Sequence, residues 1–522
     1  MTLVRTILVL SLVSACGGGS GDPDAPPAAD ARGPVDANLG PCTPGAPDTW
    51  VEEGTPLALV VGCTARETAP SDVFAITNVP EGASFDAATR TLTWTPGVDD
   101  AATLTLEVTA VGETGTVKLG VLDGWADEAN VPPEPTTYLE EHGLPVLHVT
   151  TSPALDYETY SPATIVYRGQ TFLGEAKLRG QTSSNYPKHS YTLKFPEAQP
   201  FEEPAHGFVH RRRIAVTTTF DDNSYLRHRL AYALWNLMEP TNHVRVEQMS
   251  AVLFVDGVYQ GLYAVSDQVS RHLFEAQGLD ATGNLYKGDT HACNLRLLLN
   301  NGDAKTSLHQ GYEKKDGTPL VGEPGAYDDL DALVSWAGGA DDPTFYGELG
   351  TRLVRRDFED WWIFVSLIEA DDSAGKNSFL WHDAPTGMWR YVPWDFNASF
   401  GQTWQTEREW WEEPPMAYDW ANGLWERLFV NPEINAALRV RWATALAGPL
   451  AKADVLALYD AMVEEIRPSA LRDERRWGAE YAGYADWSFR LDFLSTPEEW
   501  TYTRQWISDR WDFAVVPELA FP

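Results

Sequence analysis

The sequence predicts an α+β protein in which a small all-β sandwich precedes a larger domain that begins with strands and ends with helices. Three observations carry this. Residues 45–123 alternate polar and apolar side chains with a period of two. Residues 163–265 hold six short runs rich in β-branched and aromatic residues. Beyond residue 361 the apolar spacing becomes helical, and most of the 21 Trp gather there, as large aromatics filling a helical core would.

Met1 to Ala15 reads as a short secretory signal, with Arg5 ahead of an apolar run. It ends in Val13-Ser-Ala-Cys16, which resembles a bacterial lipobox and implies a lipid on Cys16; the alternative is a plain signal peptide with an incidental Cys. The residue after Cys16 is Gly rather than the Asp of an inner-membrane retention signal, so an outer-membrane or surface anchor is expected. No other run of 18 apolar residues occurs. Residues 16–44 are Gly-, Asp-, Ala- and Pro-rich and predict a disordered tether.

The sandwich follows over 45–123. Thr91, Thr93 and Thr95 alternate with Leu92 and Trp94, and Thr103-Leu-Thr-Leu-Glu-Val-Thr109 does the same between Pro and Gly turns. Cys42 and Cys63 are expected to pair in an oxidising compartment, closing a loop of about twenty residues worth roughly 3 kcal/mol. Cys293 is left as a free thiol, since no CxxC or His array accompanies it. The segment from Val79 to Pro96 resembles the immunoglobulin-like modules of bacterial surface proteins, which implies spacing or adhesion. A linker is expected over 124–143, marked by Pro132-Pro-Glu-Pro135, and the second domain over 144–522.

In that domain strands are expected at 163–167, 174–178, 189–195, 214–218, 251–255 and 261–265. Leu226, Leu230, Leu234 and Leu237 then share a helix face, with Arg227 on another. Phe358, Trp361, Trp362, Val365 and Ile368 predict a second amphipathic helix that runs directly into Asp371-Asp372. The runs 377–382 and 388–392 flank Asp383-Ala-Pro-Thr-Gly387, which is rich in turn formers, and predict a hairpin. A continuous helical tail is expected from about Trp420.

The chemistry lies around that hairpin. Asp372-Ser-Ala-Gly-Lys-Asn377 precedes it and Pro393-Trp394-Asp395-Phe396-Asn397 follows it. An acid, an amide five residues on, and a second acid past two short strands is the order in which protein kinases place a catalytic base, a metal-binding Asn and a metal-binding Asp. Asp371 competes with Asp372, but only Asp372 has the five-residue offset to Asn377.

These residues resemble the spore coat protein H (CotH) kinase family. So do the segment from Lys177-Leu-Arg-Gly-Gln-Thr to Leu-Lys-Phe195, Asn223-Ser-Tyr-Leu-Arg-His-Arg-Leu-Ala-Tyr232, Phe254-Val-Asp-Gly-Val-Tyr-Gln-Gly-Leu-Tyr263 and Gly311-Tyr-Glu-Lys-Lys315. The resemblance spans most of 145–430. It implies an atypical protein-kinase-like fold and transfer of the ATP γ-phosphate to protein hydroxyls. On this reading Asp372 accepts the hydroxyl proton, and Asn377 and Asp395 hold Mg²⁺ or Mn²⁺. The chain departs from the family pattern at Asn397, where a second acid is usual, at Ser184 for a frequent Arg, and at Ala370 for a frequent Asn.

ATP is expected on Lys188, Arg179, Trp394 and Asp267, with Gln268 as a neighbour of Asp267. Lys194 is the alternative to Lys188: both are read on the polar face of one strand, six residues or roughly 20 Å apart, so they cannot both reach one triphosphate, and the family likeness favours Lys188. No Walker loop and no G-x-G-x-x-G is present. The net charge of −36 excludes nucleic acid and anionic membrane surfaces as partners and favours divalent cations and basic protein segments. Two other functions stay open: a catalytically silent surface adhesion or scaffold protein that keeps the fold, and a carbohydrate-active enzyme using Glu412 and Glu413. Scarcity of ATP outside the cytoplasm weighs against the first reading. The acceptor protein is not legible.

Overall fold

Period-two alternation builds both β units of the chain. The computed structural model describes residues 40–125, 132–240, 242–413, 421–487 and 494–516. The signal over 1–15, Cys16 and most of the tether over 16–44 lie outside them. In the first unit the strands Thr49–Glu52, Glu113–Leu122, Ala102–Ala110 and Phe74–Ile76 form one sheet, and Leu57–Val60, Thr91–Trp94 and Ser84–Asp86 the other. Leu92, Trp94, Leu106 and Val108 point into the space between them and are buried, while the intervening Thr93 and Glu107 face out. The Cys42–Cys63 disulfide is present and seals this core, and Cys293 is a buried free thiol.

The expected linker is not a free tether over its described part. Tyr138 is fully buried, its hydroxyl donates to Glu141 Oε2 at 2.9 Å, and Glu140–Glu141 pairs with the next strand. With Ala101, Leu122, Val146, Val252, Phe254 and Tyr259, Tyr138 forms an apolar cluster between the sandwich and the second domain.

All six expected strands occur, and a seventh, Leu144–Thr151, closes them. It pairs antiparallel with Ser161–Tyr167 and parallel with Gln248–Val255. The sheet therefore returns to its own start through Gln170–Arg179, Ser190–Lys194, Arg213–Thr218 and Val258–Asp267. The result is a closed barrel, which removes both sheet edges. Its interior is filled by one alternating set, including Ile165, Phe172, Leu193, Ile214, Val216 and Val265. The other set faces outward, and Lys177, Arg179, Thr192 and Arg213 belong to it.

Helices and a four-stranded sheet cover the rest. That sheet runs Tyr312–Asp316, Asn284–Gly288, Ser378–His382, Trp389–Pro393, the last two being the expected hairpin. The expected helices are Arg227–Met238 and Arg355–Leu367. Leu237 is half-exposed, not part of the buried face. Arg227, placed on a separate face by its spacing, is also buried: it bonds Asp222 Oδ1 at 2.6 Å and Glu499 Oε1 at 2.8 Å. The tail is not continuous. It breaks into Gly423–Val430, Pro432–Ala447, Lys452–Ala482 and Thr496–Ala514. Asn431 caps one start by accepting from Glu433 N and Ile434 N, and Ser495 with Glu498 forms a capping box at another. The predicted role of the Trp residues holds: Trp235, Trp361, Trp362, Trp381, Trp425, Trp506 and Trp511 are fully buried in one large core. No helix among the described residues is long and apolar enough to cross a membrane.

Candidate active site

A cleft of about 1020 Å³ opens between the outer face of the barrel and the hairpin sheet. Asp372, Asn377, Trp394, Asp395 and Arg179 all line it. The hairpin explains the first four. Its register pairs Ser378 with Pro393, so Asn377 and Trp394 flank its open end, one residue beyond the last pair. Ser373 Oγ donates to the Asp395 carbonyl at 2.8 Å, tying the acidic loop before the hairpin to the chain leaving it. Asn377 and Asp395 both sit in the left-handed region, at φ +51° and +60°. Asn and Asp tolerate that region better than other side chains, and such backbone persists only where the surroundings impose it.

Asp372 is held from both sides. The Asn377 Nδ2 group donates to its Oδ2 at 2.6 Å, and Lys376 Nζ lies 2.8 Å from its Oδ1. The amide therefore spends its N–H on Asp372 and keeps its carbonyl oxygen for another partner. Asp395 receives no cation from Lys or Arg at contact distance among the described residues. His228 Nε2 lies 3.5 Å from its Oδ1, and its backbone N–H donates to the Tyr232 hydroxyl at 3.2 Å. Burial pushes the His228 pKa down, against the raising effect of Asp395.

Asp221 was missed by sequence reasoning. It lines the same cleft, and its Oδ2 accepts from Asn397 Nδ2 at 2.7 Å. Burial first, then the charges of Asp395 and Asp222, push its carboxyl up to about 7. A carboxylate from a distant segment thus stands beside the position where Asn397 replaces the family's second acid. The only signal was the doublet Asp221-Asp222 just before the quoted helix block. Lys376 was also missed, though it directly precedes Asn377.

Oxygen donors of this kind fit a hard divalent cation. Asn377 and Asp395 offer an amide and a carboxylate oxygen, the set expected where phosphate oxygens and water complete the shell. Among the described residues the one compact trio of metal-type ligands is Cys42, Cys63 and Asp72, which the disulfide accounts for.

Several residues that the sequence suggested for the site lie elsewhere. Lys188 does not line the cleft. It precedes the strand Ser190–Lys194 rather than belonging to it, is 1% exposed, and donates to Asp473 Oδ2 at 2.5 Å and the Leu262 carbonyl at 2.7 Å. Gly261 belongs to the same knot: at φ +100°, a Cβ there would lie 2.0 Å from Asp473 Oδ2. Asp267 is also sealed away, ion-paired to Arg211 at 2.5 Å and accepting from Glu247 N at 2.9 Å. Lys194 pairs with Glu175 and does not line the cleft either. Gln268 does line it and accepts from Arg179 Nη1 at 3.4 Å. Arg179 lies 4.9 Å from the centre of the Trp394 ring, and Gly180 after it turns at φ +125°, where a Cβ would meet Ser183 Oγ at 2.3 Å. Glu412 and Glu413 are exposed and outside the cleft; Glu412 accepts from Trp410 Nε1 at 3.0 Å.

Sandwich, barrel and cleft define a two-module protein whose second module gathers Asp372, Asn377 and Asp395 in one space. Comparison makes the family plain. The CotH kinase protein family matches residues 176–510, so this chain belongs to that family, and an Ig domain family matches residues 41–121. Inner spore coat protein H of Bacillus subtilis (strain 168) is 23% identical over 301 residues, covering 56% of this chain and 77% of that relative. Among solved structures, two forms of an endo-fucoidan hydrolase from glycoside hydrolase family 107 align at 12% identity with TM-scores of 0.14 and 0.13. Those alignments span 30% of this chain and 27% of the hydrolase, too little to support a shared fold.

Proposed function

We propose that this protein is an ATP-dependent protein kinase of the cell envelope, transferring the γ-phosphate to Ser/Thr-type hydroxyls of protein substrates. The observation that carries the reading is the Asn377–Asp372 hydrogen bond at 2.6 Å in a cleft that also contains Asp395. The acid available to a hydroxyl and the oxygens available to a cation thereby share one space.

Asp372 would accept the hydrogen bond of the incoming hydroxyl and take its proton as the new O–P bond forms, while the bond from the γ-phosphorus to the β,γ-bridging oxygen breaks and ADP leaves with that oxygen. Lys376 and Asn377 fix the carboxylate's orientation, so little reorganisation is needed when that proton moves. Mg²⁺ or Mn²⁺ bound by Asn377 and Asp395 would supply charge neutralisation for the phosphates. Arg179 offers a planar donor pair to phosphate oxygens, and Trp394 holds its guanidinium by stacking. The cleft is less acidic than the chain as a whole: six Lys/Arg against seven Asp/Glu line it, in a chain with 39 against 75.

The domains read as sandwich over 45–123 and kinase-like domain over 144–522. The Ig module would space the catalytic domain from a membrane to which lipid on Cys16 anchors it. A second reading, a silent scaffold, draws on the same sandwich and on the scarcity of external ATP. Incubating the purified protein with radiolabelled ATP, Mn²⁺ and a generic protein substrate separates the two. Label on protein that disappears with chelator supports the kinase; none at any metal concentration supports the scaffold.

A further inference from the structure

Three cations on the outer face of the barrel have no carboxylate partner among the described residues. Lys177, Arg179 and Arg213 line the cleft, and no ion pair holds any of them. The cleft's other cations are all held: Lys287 by Asp289 at 3.0 Å, Lys315 by Glu313 at 2.5 Å and Lys376 by Asp372 at 2.8 Å. In a chain with 75 acids against 39 bases, these three cations stand together without a carboxylate at contact distance. An anion from outside would find all three uncompensated at contact distance, although Asp395 acts on Arg179 from further off.

The geometry narrows the anion. Lys177 and Arg179 are two residues apart on one strand and face the same way, which places them about 7 Å apart along it. Arg213 stands on the outer face two strands away, opposite Lys194 in the register. Lys177 Nζ lies 5.1 Å and Arg213 Cζ 5.9 Å from the centre of the Tyr160 ring, which also lines the cleft. Arg213 Nε is buried with no hydrogen-bond partner. Lys194 Nζ is 5.5 Å from the same ring, but Glu175 neutralises it. At the other end of the row Arg179 touches Trp394, the neighbour of Asp395. The free cations thus run from the proposed metal ligand outward for about the length of a short chain of phosphates. A single carboxylate would meet only one or two of them.

We propose that Lys177, Arg213 and Arg179 form a linear polyphosphate grip, taking the role that sequence reasoning gave to Lys188. The ligand class is a di- or triphosphate, free or as the tail of a nucleotide. The inference rests on the phosphotransfer reading for its purpose but not for its test.

The test is calorimetry on the full-length protein with three probes: inorganic tripolyphosphate, ATP·Mn²⁺ and adenosine. Lys177→Ala/Arg213→Ala is compared with wild type, and Arg467→Ala, which removes a partly exposed cation outside the cleft that pairs with Glu464, controls for net charge. Both cleft residues are only partly buried, so the fold should survive, and Lys177→Gln provides a milder variant. The expected result is a loss of roughly 10- to 100-fold for both phosphate probes in the double variant, with Arg467→Ala near wild type. Equal affinity in wild type and double variant overturns the grip. Wild-type binding of ATP·Mn²⁺ without tripolyphosphate also overturns it, while sparing the kinase reading. Tripolyphosphate binding that needs Lys177 and Arg213, in a protein that transfers no phosphate, upholds the grip and removes the kinase reading instead.

Discussion

Replacing Lys188 with Met tests whether that residue serves the fold or the phosphate. In the native protein its ammonium and the Asp473 carboxylate are 1% and 2% exposed and 2.5 Å apart. Burial pulls Lys188 down and pushes Asp473 up, and each charge opposes that effect on the other. Lys188→Met leaves Asp473 buried with hydrogen bonds from Leu262 N at 2.6 Å and the Tyr225 hydroxyl at 3.0 Å but no countercharge. Breaking a buried pair from one side costs about 3–5 kcal/mol. Met has nearly the length of Lys and leaves little cavity, so the loss is electrostatic. Lys188→Met/Asp473→Asn removes both charges while keeping an acceptor for Leu262 N, and should recover at least about half of that loss. Urea unfolding followed by Trp fluorescence measures all three proteins. Alongside it, ATP·Mn²⁺ affinity is measured below the transition, where Lys188→Met should bind within about threefold of wild type. A variant as stable as wild type to within about 1 kcal/mol, yet unable to bind nucleotide, would refute the structural role and return Lys188 to the phosphate.

Other consequences concern the first module and the termini. Glu53 accepts from Gly124 N at 2.8 Å, and burial above all raises its carboxyl from 4.5 to about 7. An acid whose pKa is raised on folding destabilises the fold progressively from about pH 4.5 and fully above about pH 7. Glu53→Gln should therefore match wild type near pH 4.5 and gain about 1–2 kcal/mol by pH 8, after allowance for its partial exposure. A gain that shrinks with pH in thermal melts would contradict this. Cys42→Ala/Cys63→Ala should cost the sandwich about 3 kcal/mol, since the bridge spans 21 residues; peptide mapping of the exported protein that finds either Cys as a free thiol would remove the basis for it. Cys16→Ser should release the protein from membranes, and fractionation with membranes despite the substitution would place the anchor elsewhere.

Much of the fold was legible because its signals are local. Alternation at Leu92, Trp94, Leu106 and Val108 marked the sandwich strands, and the turn formers at 383–387 marked the hairpin. What escaped was set by distant contacts. The parallel pairing of Val146 with Val252 that closes the barrel joins segments about a hundred residues apart, and no local period encodes it. Lys188 illustrates the same limit at the site: a polar strand face and the family likeness suggested a phosphate ligand, but a helix 285 residues later covers it. Asp372, Asn377, Trp394 and Asp395 could be read as neighbours because one hairpin sets their spacing. Asp221 was not, because it reaches the cleft from a separate segment and meets Asn397 176 residues away.

The most direct test asks whether the two acids do different work. Asp372→Asn and Asp395→Ala are compared by calorimetry of ATP·Mn²⁺ binding and by radiolabel transfer to protein. Asp372→Asn should bind nucleotide nearly as wild type does and lose about 10²–10⁴-fold in turnover. Asp395→Ala should lose metal-dependent binding as well as transfer. Equal nucleotide affinity in both variants would contradict the metal role of Asp395, and with it the division of labour on which the account stands.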